Sequence, residues 1–156
     1  EINKNVDERY NIEKSTKVAA EYLKNAKDRF GSWTLAAAAY NAGKYGIARR
    51  LETQKVSTYY DAKLANETER YVFRILALKE IIKNPEKYGF VFEKEDLYTI
   101  KKSYTIKVDT AINNIASFAK GFNINYKELK IHNPWLRENK LNNKSRKVYE
   151  IKIPIK

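Results

Sequence analysis

The chain has 156 residues, a formal net charge of +12, no cysteine and no methionine. This length suits one domain or two small ones. The absence of cysteine excludes disulfides, thiol nucleophiles and cysteine-based metal sites, and the single histidine, His132, leaves little material for a multi-histidine site or a Ser-His-Asp triad. No stretch approaches the about eighteen apolar residues of a membrane span. We therefore expect no transmembrane segment, no metal and no cofactor.

The positive charge is concentrated near the end of the chain. Residues 1–97 hold 18 basic and 15 acidic side chains, whereas residues 98–156 hold 13 and 4. This step predicts a domain boundary near residue 97 and an anionic partner for the second part. The chain also begins at Glu1 without an initiator methionine or a signal-peptide pattern, from which we expect a processed chain or an excised fragment.

The first part of the chain carries helical patterns. Apolar residues recur at helical spacing over residues 13–30, and Gly31 is a typical helix stop. Ser32 can cap a second helix over residues 33–41, whose alanine run has no charge on any face and therefore predicts a buried helix.

Two more helical segments follow. Residues 47–51 form a short amphipathic piece. A long helix is predicted to begin at Asn66, which with Glu69 resembles a capping box, and Asn84-Pro85 ends it.

After about residue 98 the pattern changes to short alternating segments. Residues 104–108 and 148–153 alternate with period two, as strands do. Between them, Asp109 can cap one helix that stops at Gly121, and Asn125 can cap another. We expect an α+β chain: a helical domain over residues 1–97, with a connector near residues 91–101, and a small strand–helix–helix–strand module over residues 98–156.

Three blocks in the first part resemble one family in order and spacing. They are Asp7-Glu8-Arg9 with Ala19-Ala20-x-Tyr22-Leu23, the run from Phe30 to Gly43, and Glu67-Thr68-x-x-Tyr71-Val72 with Asn84-Pro85-x-x-Tyr88-Gly89-Phe90. Together they resemble the lytic murein transglycosylase D family over roughly residues 5–92. The resemblance implies part of a goose-type-lysozyme-like SLT domain, which cleaves the MurNAc–GlcNAc glycan of peptidoglycan and forms a 1,6-anhydro product.

The same resemblance bears on catalysis. The family uses one glutamate, first as acid and then as base, within an ES motif that precedes a GLMQ-type motif, and this sequence contains neither. We therefore expect no catalytic residue in the chain and no activity of the chain alone. The resemblance implies a fragment of an enzyme from the bacterial cell envelope, periplasmic or outer-membrane associated. The alternative is a non-catalytic protein that binds peptidoglycan or chitooligosaccharides.

Four consecutive residues at the end of the alanine helix are candidate site residues. The resemblance assigns substrate contacts to Tyr40 and Asn41, and close approach of the glycan to Ala42 and Gly43; an ordinary helix C-terminus is the competing interpretation. Tyr71 corresponds to the family tyrosine near the catalytic acid, although a core tyrosine has the same pattern.

Structural roles are also considered for two glutamates and three aromatic residues of the first part. Glu8 lies in a charged cluster and Glu67 near a helix start, and both locations keep a carboxylate ionised, which is unsuitable for a general acid. Trp33 is expected to pack in the core. Tyr59 and Tyr60 suit a sugar-stacking wall or a core or hairpin position equally.

The second part resembles a LysM module, which binds glycans that contain N-acetylglucosamine. The resemblance rests on residues 104–110, Ile115-Ala116, Leu129, Asn133 and the closing Ile151-x-Ile153-Pro154. It implies a sugar groove, and the residues assigned to it are Asp109, Thr110, Asn133, Pro134 and Trp135. The Asn-Pro-Trp run also matches an NP-x-LR feature that follows the family's transglycosylase domain, which is a structural alternative. His132 is expected to be a surface or loop histidine.

The basic residues leave a third possibility. Interleaved with tyrosine and tryptophan, they suit phosphate contacts, but no RNA-binding motif accompanies them. We expect peptidoglycan strands as the partner, with attraction to their acidic stem peptides, and no nucleic acid. Loss of the upstream helices would expose apolar surface, which favours a dimer.

Overall fold

The computed structural model describes residues 1–99 and 101–155. The chain forms two compact units. One is Lys17–Leu97, and the other combines Glu1–Thr16 with Tyr98–Lys156. The helices and the two-stranded antiparallel sheet confirm the predicted α+β class. The predicted connector includes residue 100, which lies outside the described residues.

The unit Lys17–Leu97 is helical. Helix α1 extends into this unit from the other one. The helices are α1 Ile12–Phe30, α2 Trp33–Ala42, α3 Lys44–Gln54 and α4 Asn66–Lys83. Single 3-10 turns follow at Glu86–Tyr88 and Lys94–Asp96. Helix α3 is longer than the predicted piece at residues 47–51.

The end of α1 and the start of α2 follow the predicted signals. Gly31 and Gly43 have φ angles of +71° and +81°, where a side chain would be strained. The Ser32 hydroxyl accepts a hydrogen bond from the Leu35 N–H at 3.4 Å and caps α2.

Helix α4 begins at Asn66 as predicted, but its cap differs from the predicted one. Its N-cap is Ala65, which has no side-chain acceptor, so the predicted Asn66–Glu69 capping pair is wrong. The Glu69 carboxylate instead accepts the Leu64 N–H at 3.0 Å.

Helix α2 lies at the centre of this unit's core. Leu35, Ala36, Ala38 and Ala39 are buried, which confirms the predicted buried helix. Their small side chains let α3 and α4 approach closely. Core residues from the other segments are Ala26, Ile47, Tyr59, Ala62, Leu64 and Val72.

Much apolar surface of this unit remains uncovered. Beyond Val72, α4 contributes no buried residue, although it carries Phe73, Leu76, Leu78 and Ile82. At the start of α2, Trp33 is 59% exposed, so the predicted core position of this side chain is wrong.

The second unit contains the predicted strand–helix–helix–strand order. Its elements are β1 Ser103–Val108, α5 Ile115–Gly121, α6 Tyr126–His132 and β2 Tyr149–Pro154. The strands pair antiparallel, with Tyr104 opposite Ile153 and Val108 opposite Tyr149.

The two short helices of this unit are capped by asparagine. Asn125 and Glu128 form a capping box at α6, which confirms the predicted cap. The predicted cap at Asp109 is wrong, because α5 begins later and Asn114 accepts the Ser117 N–H at 2.8 Å.

Residues 1–16 pack with this second unit. Val6 is fully buried in its core and forms an antiparallel bridge with Leu136. The Asp7 N–H donates to the Trp135 carbonyl at 2.9 Å, and the Arg137 N–H donates to the Asn5 carbonyl at 2.8 Å. The compact units therefore group residues 1–16 differently from the predicted division at residue 97. The assignment of functional domains to 1–97 and 98–156 stays a prediction.

The buried position of Val6 leads to a stability prediction. Val6→Ala should lower the free energy of unfolding by about 2 kcal/mol, because it removes buried methyl groups and leaves a cavity. Ile2→Ala is the matched control: Ile2 is 62% exposed in the same segment and its loss should cost under about 0.5 kcal/mol. Urea denaturation followed by tryptophan fluorescence measures both, and equal losses would contradict a core role for Val6.

Candidate functional site

The end of α2 presents an aromatic ring to solvent. Tyr40 is 47% exposed, and its ring meets the Tyr22 ring edge-on at 5.6 Å between centroids. The Tyr22 hydroxyl donates to the Ala39 carbonyl at 2.8 Å, which fixes Tyr22 against α2. Ala42 and Gly43 are exposed directly after this ring, so no bulky side chain shields the backbone there.

Asn41 is held by a residue of α4. The Thr68 hydroxyl donates to Asn41 Oδ1 at 2.9 Å, and Thr68 is only 3% exposed. The bond fixes the amide so that Nδ2, which makes no hydrogen bond within the described residues, is available to a ligand. Sequence reasoning missed Thr68, although it stands in the same motif block as Tyr71.

Tyr71 lies one helical turn beyond Thr68. Residues three apart share a helix face, so this half-buried ring lies on the face of α4 that holds Asn41. The structure thus joins Asn41, which follows Tyr40 at the end of α2, to the turn of α4 that precedes Tyr71. Their contact with substrate stays a prediction.

The two neighbouring tyrosines have different surroundings. Tyr59 is buried, and its hydroxyl donates to the carbonyls of Thr68 at 3.0 Å and Glu69 at 2.6 Å. Burial raises the pKa of Tyr59. Of the two interpretations, the core position holds for Tyr59, which supports the turn that carries Thr68. Tyr60 is exposed, with its ring edge-on to Tyr59.

The acidic residues near the start of the chain are paired with basic groups. Hydrogen bonds from Lys14 and then from the N-terminal ammonium lower the pKa of Glu8 to about 2. Hydrogen bonds from Arg9 lower the pKa of Asp7. These pairs agree with the interpretation of Glu8 as an ion-pairing residue.

Acidic residues of α4 are paired as well. Glu67 accepts from Arg74 Nη1 at 2.6 Å on the helix surface. A hydrogen bond from Lys63 lowers the pKa of Glu69. Both carboxylates therefore lie in ion pairs with basic side chains of the same unit.

The predicted groove residues of the second unit do not share one environment. Asp109 and Thr110 are exposed after β1, and the Asp109 carboxylate pairs with Arg146 at 3.3 Å. Trp135 is buried and stacks on Tyr149 with centroids 5.6 Å apart. Pro134, beside it, is half-buried.

Asn133 has a structural role. It is 0% exposed, and its Nδ2 donates to the carbonyls of Leu129 at 2.9 Å and Lys152 at 2.7 Å. Its Oδ1 accepts the Lys152 N–H at 2.8 Å. Both amide hydrogens are used inside the protein, so in this conformation Asn133 joins α6 to β2. Its predicted contact with sugar stays a prediction.

A cavity of about 640 Å³ opens on this second unit. Pro134 and Trp135 line it, but Asp109 and Thr110 do not. Residues 8 and 11–14, the start of β1, the end of α6 and part of β2 form its other walls. The last residue of α6, His132, also lines it; this half-buried ring places Nδ1 2.9 Å from the Glu128 carbonyl oxygen.

Two family models match separate parts of the sequence. The model of the transglycosylase SLT domain matches residues 1–62, and that of the soluble lytic transglycosylase C-terminal LysM-like domain matches residues 104–156. Over an alignment of 91 residues the chain is 33% identical to Membrane-bound lytic murein transglycosylase D of Escherichia coli K12. This alignment covers 55% of this chain and 20% of the relative. The protein of that name from E. coli O6:H1 strain CFT073 gives the same values. The chain thus spans about a fifth of the length of the curated relatives it matches. Within the described residues, no helix is long and apolar enough to cross a bilayer.

Proposed function

We propose that the chain belongs to the peptidoglycan lytic transglycosylase family, whose SLT and LysM-like models match residues 1–62 and 104–156. In this proposal it forms the glycan-holding part of such an enzyme, followed by a LysM-like module that binds the same polymer. The observation that carries the proposal is the hydrogen bond between Thr68 and Asn41. It joins two separate sequence blocks of the family at one exposed junction.

The junction has the groups that a sugar chain requires. The Asn41 amide nitrogen donates to a sugar oxygen, while Thr68 keeps the amide from rotating. The exposed Tyr40 ring offers an apolar face to sugar C–H groups. Ala42 and Gly43 leave room for the glycan to approach the backbone. The substrate class is the MurNAc–GlcNAc strand of peptidoglycan.

We infer that none of the carboxyl groups with a lowered pKa acts as the acid that cleaves the glycosidic bond. Cleavage requires a carboxyl that is protonated near neutral pH, with a raised pKa. Five carboxyl groups of the described residues have a lowered pKa: Glu1, Asp7, Glu8, Glu13 and Glu69. In each case the main cause is a hydrogen bond from a basic side chain. The family's ES motif is also absent from the 156 residues. The chain by itself therefore holds glycan and does not cleave it.

The charge of the second part supports the same partner. Thirteen basic residues against four acidic ones attract the acidic stem peptides of peptidoglycan. The proposed location is the bacterial cell envelope, since the E. coli relatives are named as membrane-bound murein enzymes. The uncovered apolar face of α4 supports a dimer, and the oligomeric state stays a prediction.

An activity assay tests the catalytic part of the proposal. We expect the pure chain to release no 1,6-anhydro-muropeptides from purified peptidoglycan, as measured by chromatography of the soluble products. The E. coli relative, assayed under the same conditions, serves as the positive control. Anhydro products that rise with the concentration of the pure chain would show that it contains a catalytic acid. In a second assay the chain is mixed with the part of the E. coli relative that carries the catalytic ES motif. Binding to peptidoglycan without any release of anhydro products in this mixture would favour the alternative, a non-catalytic binding protein.

A further inference from the structure

The cavity on the second unit is built from parts that are distant in sequence. Thr99, Lys101, Ser103 and Thr105 are alternate residues, as expected for side chains on one face of an extended segment. The opposite wall comes from residues 8 and 11–14. The volume of the cavity, about 640 Å³, lies within the range of about 300–1,000 Å³ typical of small-molecule sites.

The lysines that line the cavity are already paired. Each has a glutamate partner that lines the same cavity. The pairs are Lys14 with Glu8, Lys152 with Glu13, and Lys101 with Glu128 at 3.6 Å. The cavity lining carries three lysines and four glutamates, the fourth being Glu150, so its net charge does not favour an anionic ligand. A neutral ligand leaves all three pairs intact.

The remaining lining suits a ligand with both hydroxyl groups and apolar faces. The hydroxyls of Thr99, Ser103 and Thr105 both donate and accept hydrogen bonds. Paired lysines and glutamates still have unused donors and acceptors. Ile12 and Ile131 are exposed and supply apolar surface for C–H groups. Neutral oligosaccharides combine these properties.

The cavity is separate from the exposed half of the predicted groove. Asp109 and Thr110 follow the other end of β1 and do not line the cavity. Of the predicted groove residues, it includes only Pro134 and Trp135.

From this lining we propose that the cavity is a binding site for a neutral oligosaccharide of N-acetylhexosamines, completed by residues 8 and 11–14 of the chain. The proposal rests on the proposed glycan-binding function and deepens it. The proposed site includes residues of the segment before α1 and of the first turn of α1, and both would contact the sugar.

Tyrosine substitutions on β1 test the site in the full chain. Thr105→Tyr and, independently, Ser103→Tyr fill the cavity from an exposed strand face, where tyrosine is well tolerated. Lys107→Tyr is the matched control on the same face of the same strand, outside the cavity. Thr110→Tyr obstructs the predicted groove instead. The probe is the tetramer of N-acetylglucosamine, which carries no peptide, and the readout is the Trp135 indole N–H signal in NMR titrations.

We expect Thr105→Tyr and Ser103→Tyr to raise the Kd by about tenfold or more, and Lys107→Tyr to change it by less than about twofold. If Thr110→Tyr weakens binding while both cavity variants bind normally, the inference is wrong and the proposed function stands. If the wild-type chain binds neither the tetramer nor peptidoglycan, the proposed function fails as well. Retained dispersion of the amide spectrum shows that each variant is folded.

Discussion

Asn133→Ala should destabilise the second unit by about 3 kcal/mol, the largest single-residue effect that we expect on stability. The variant leaves the N–H and the carbonyl of Lys152 without their buried partners. Each orphaned buried group costs about 1–3 kcal/mol, and the lost side-chain volume adds to this. The backbone N–H and the backbone carbonyl of Lys152 both bond to the side-chain amide of Asn133. This amide therefore takes the place of a neighbouring strand at the free edge of β2.

Urea denaturation of the full chain measures this effect. Asn113→Ala is the matched control, because Asn113 is exposed in the same unit, and it should cost less than about 0.5 kcal/mol. Comparable losses for the two variants would show that Asn133 does not hold α6 to β2. In that case the predicted contact of Asn133 with sugar would regain weight.

Asn41→Ala should weaken binding of a MurNAc–GlcNAc strand at the helical unit by about tenfold, which corresponds to about one hydrogen bond. Thr68→Val, which keeps the shape of the side chain but removes the hydroxyl, should weaken it similarly because the Asn41 amide is then free to rotate. The Gly43 amide signal in NMR titrations reports this site separately from the cavity of the second unit.

The double variant distinguishes positioning from a general structural effect. If Thr68 acts through Asn41, the double variant binds no more weakly than Asn41→Ala alone. Additive losses would show that the two residues act independently. A Thr68→Val protein that is less stable but binds normally would show that the bond serves folding alone. Tyr45→Ala, on an exposed ring of α3, is the control for nonspecific loss.

Local signals predicted much of the fold. Gly31 and Ser32 set the boundary between α1 and α2, because glycine permits the positive φ and serine offers an acceptor within its own turn. The cap of α5 was predicted at Asp109 and lies at Asn114, since several nearby residues carry the side chain of a good cap and local rules do not choose among them.

Long-range contacts account for what the sequence did not predict. Val6 enters a core whose other members lie more than one hundred residues later, and no local pattern indicates that partner. The bond from Thr68 to Asn41 likewise depends on how α4 packs on α2. The candidate residues of α2 were predicted from a family motif, whereas the residue that orients Asn41 required the tertiary structure.

Co-sedimentation with purified peptidoglycan sacculi tests the central claim most directly, because the claim is that this chain holds glycan strands without cleaving them. We expect the wild-type chain to pellet with sacculi in a saturable manner, with the tetramer of N-acetylglucosamine competing for binding. A chain that stays in the supernatant at every sacculus concentration, at low salt as well as at physiological salt, would contradict this account.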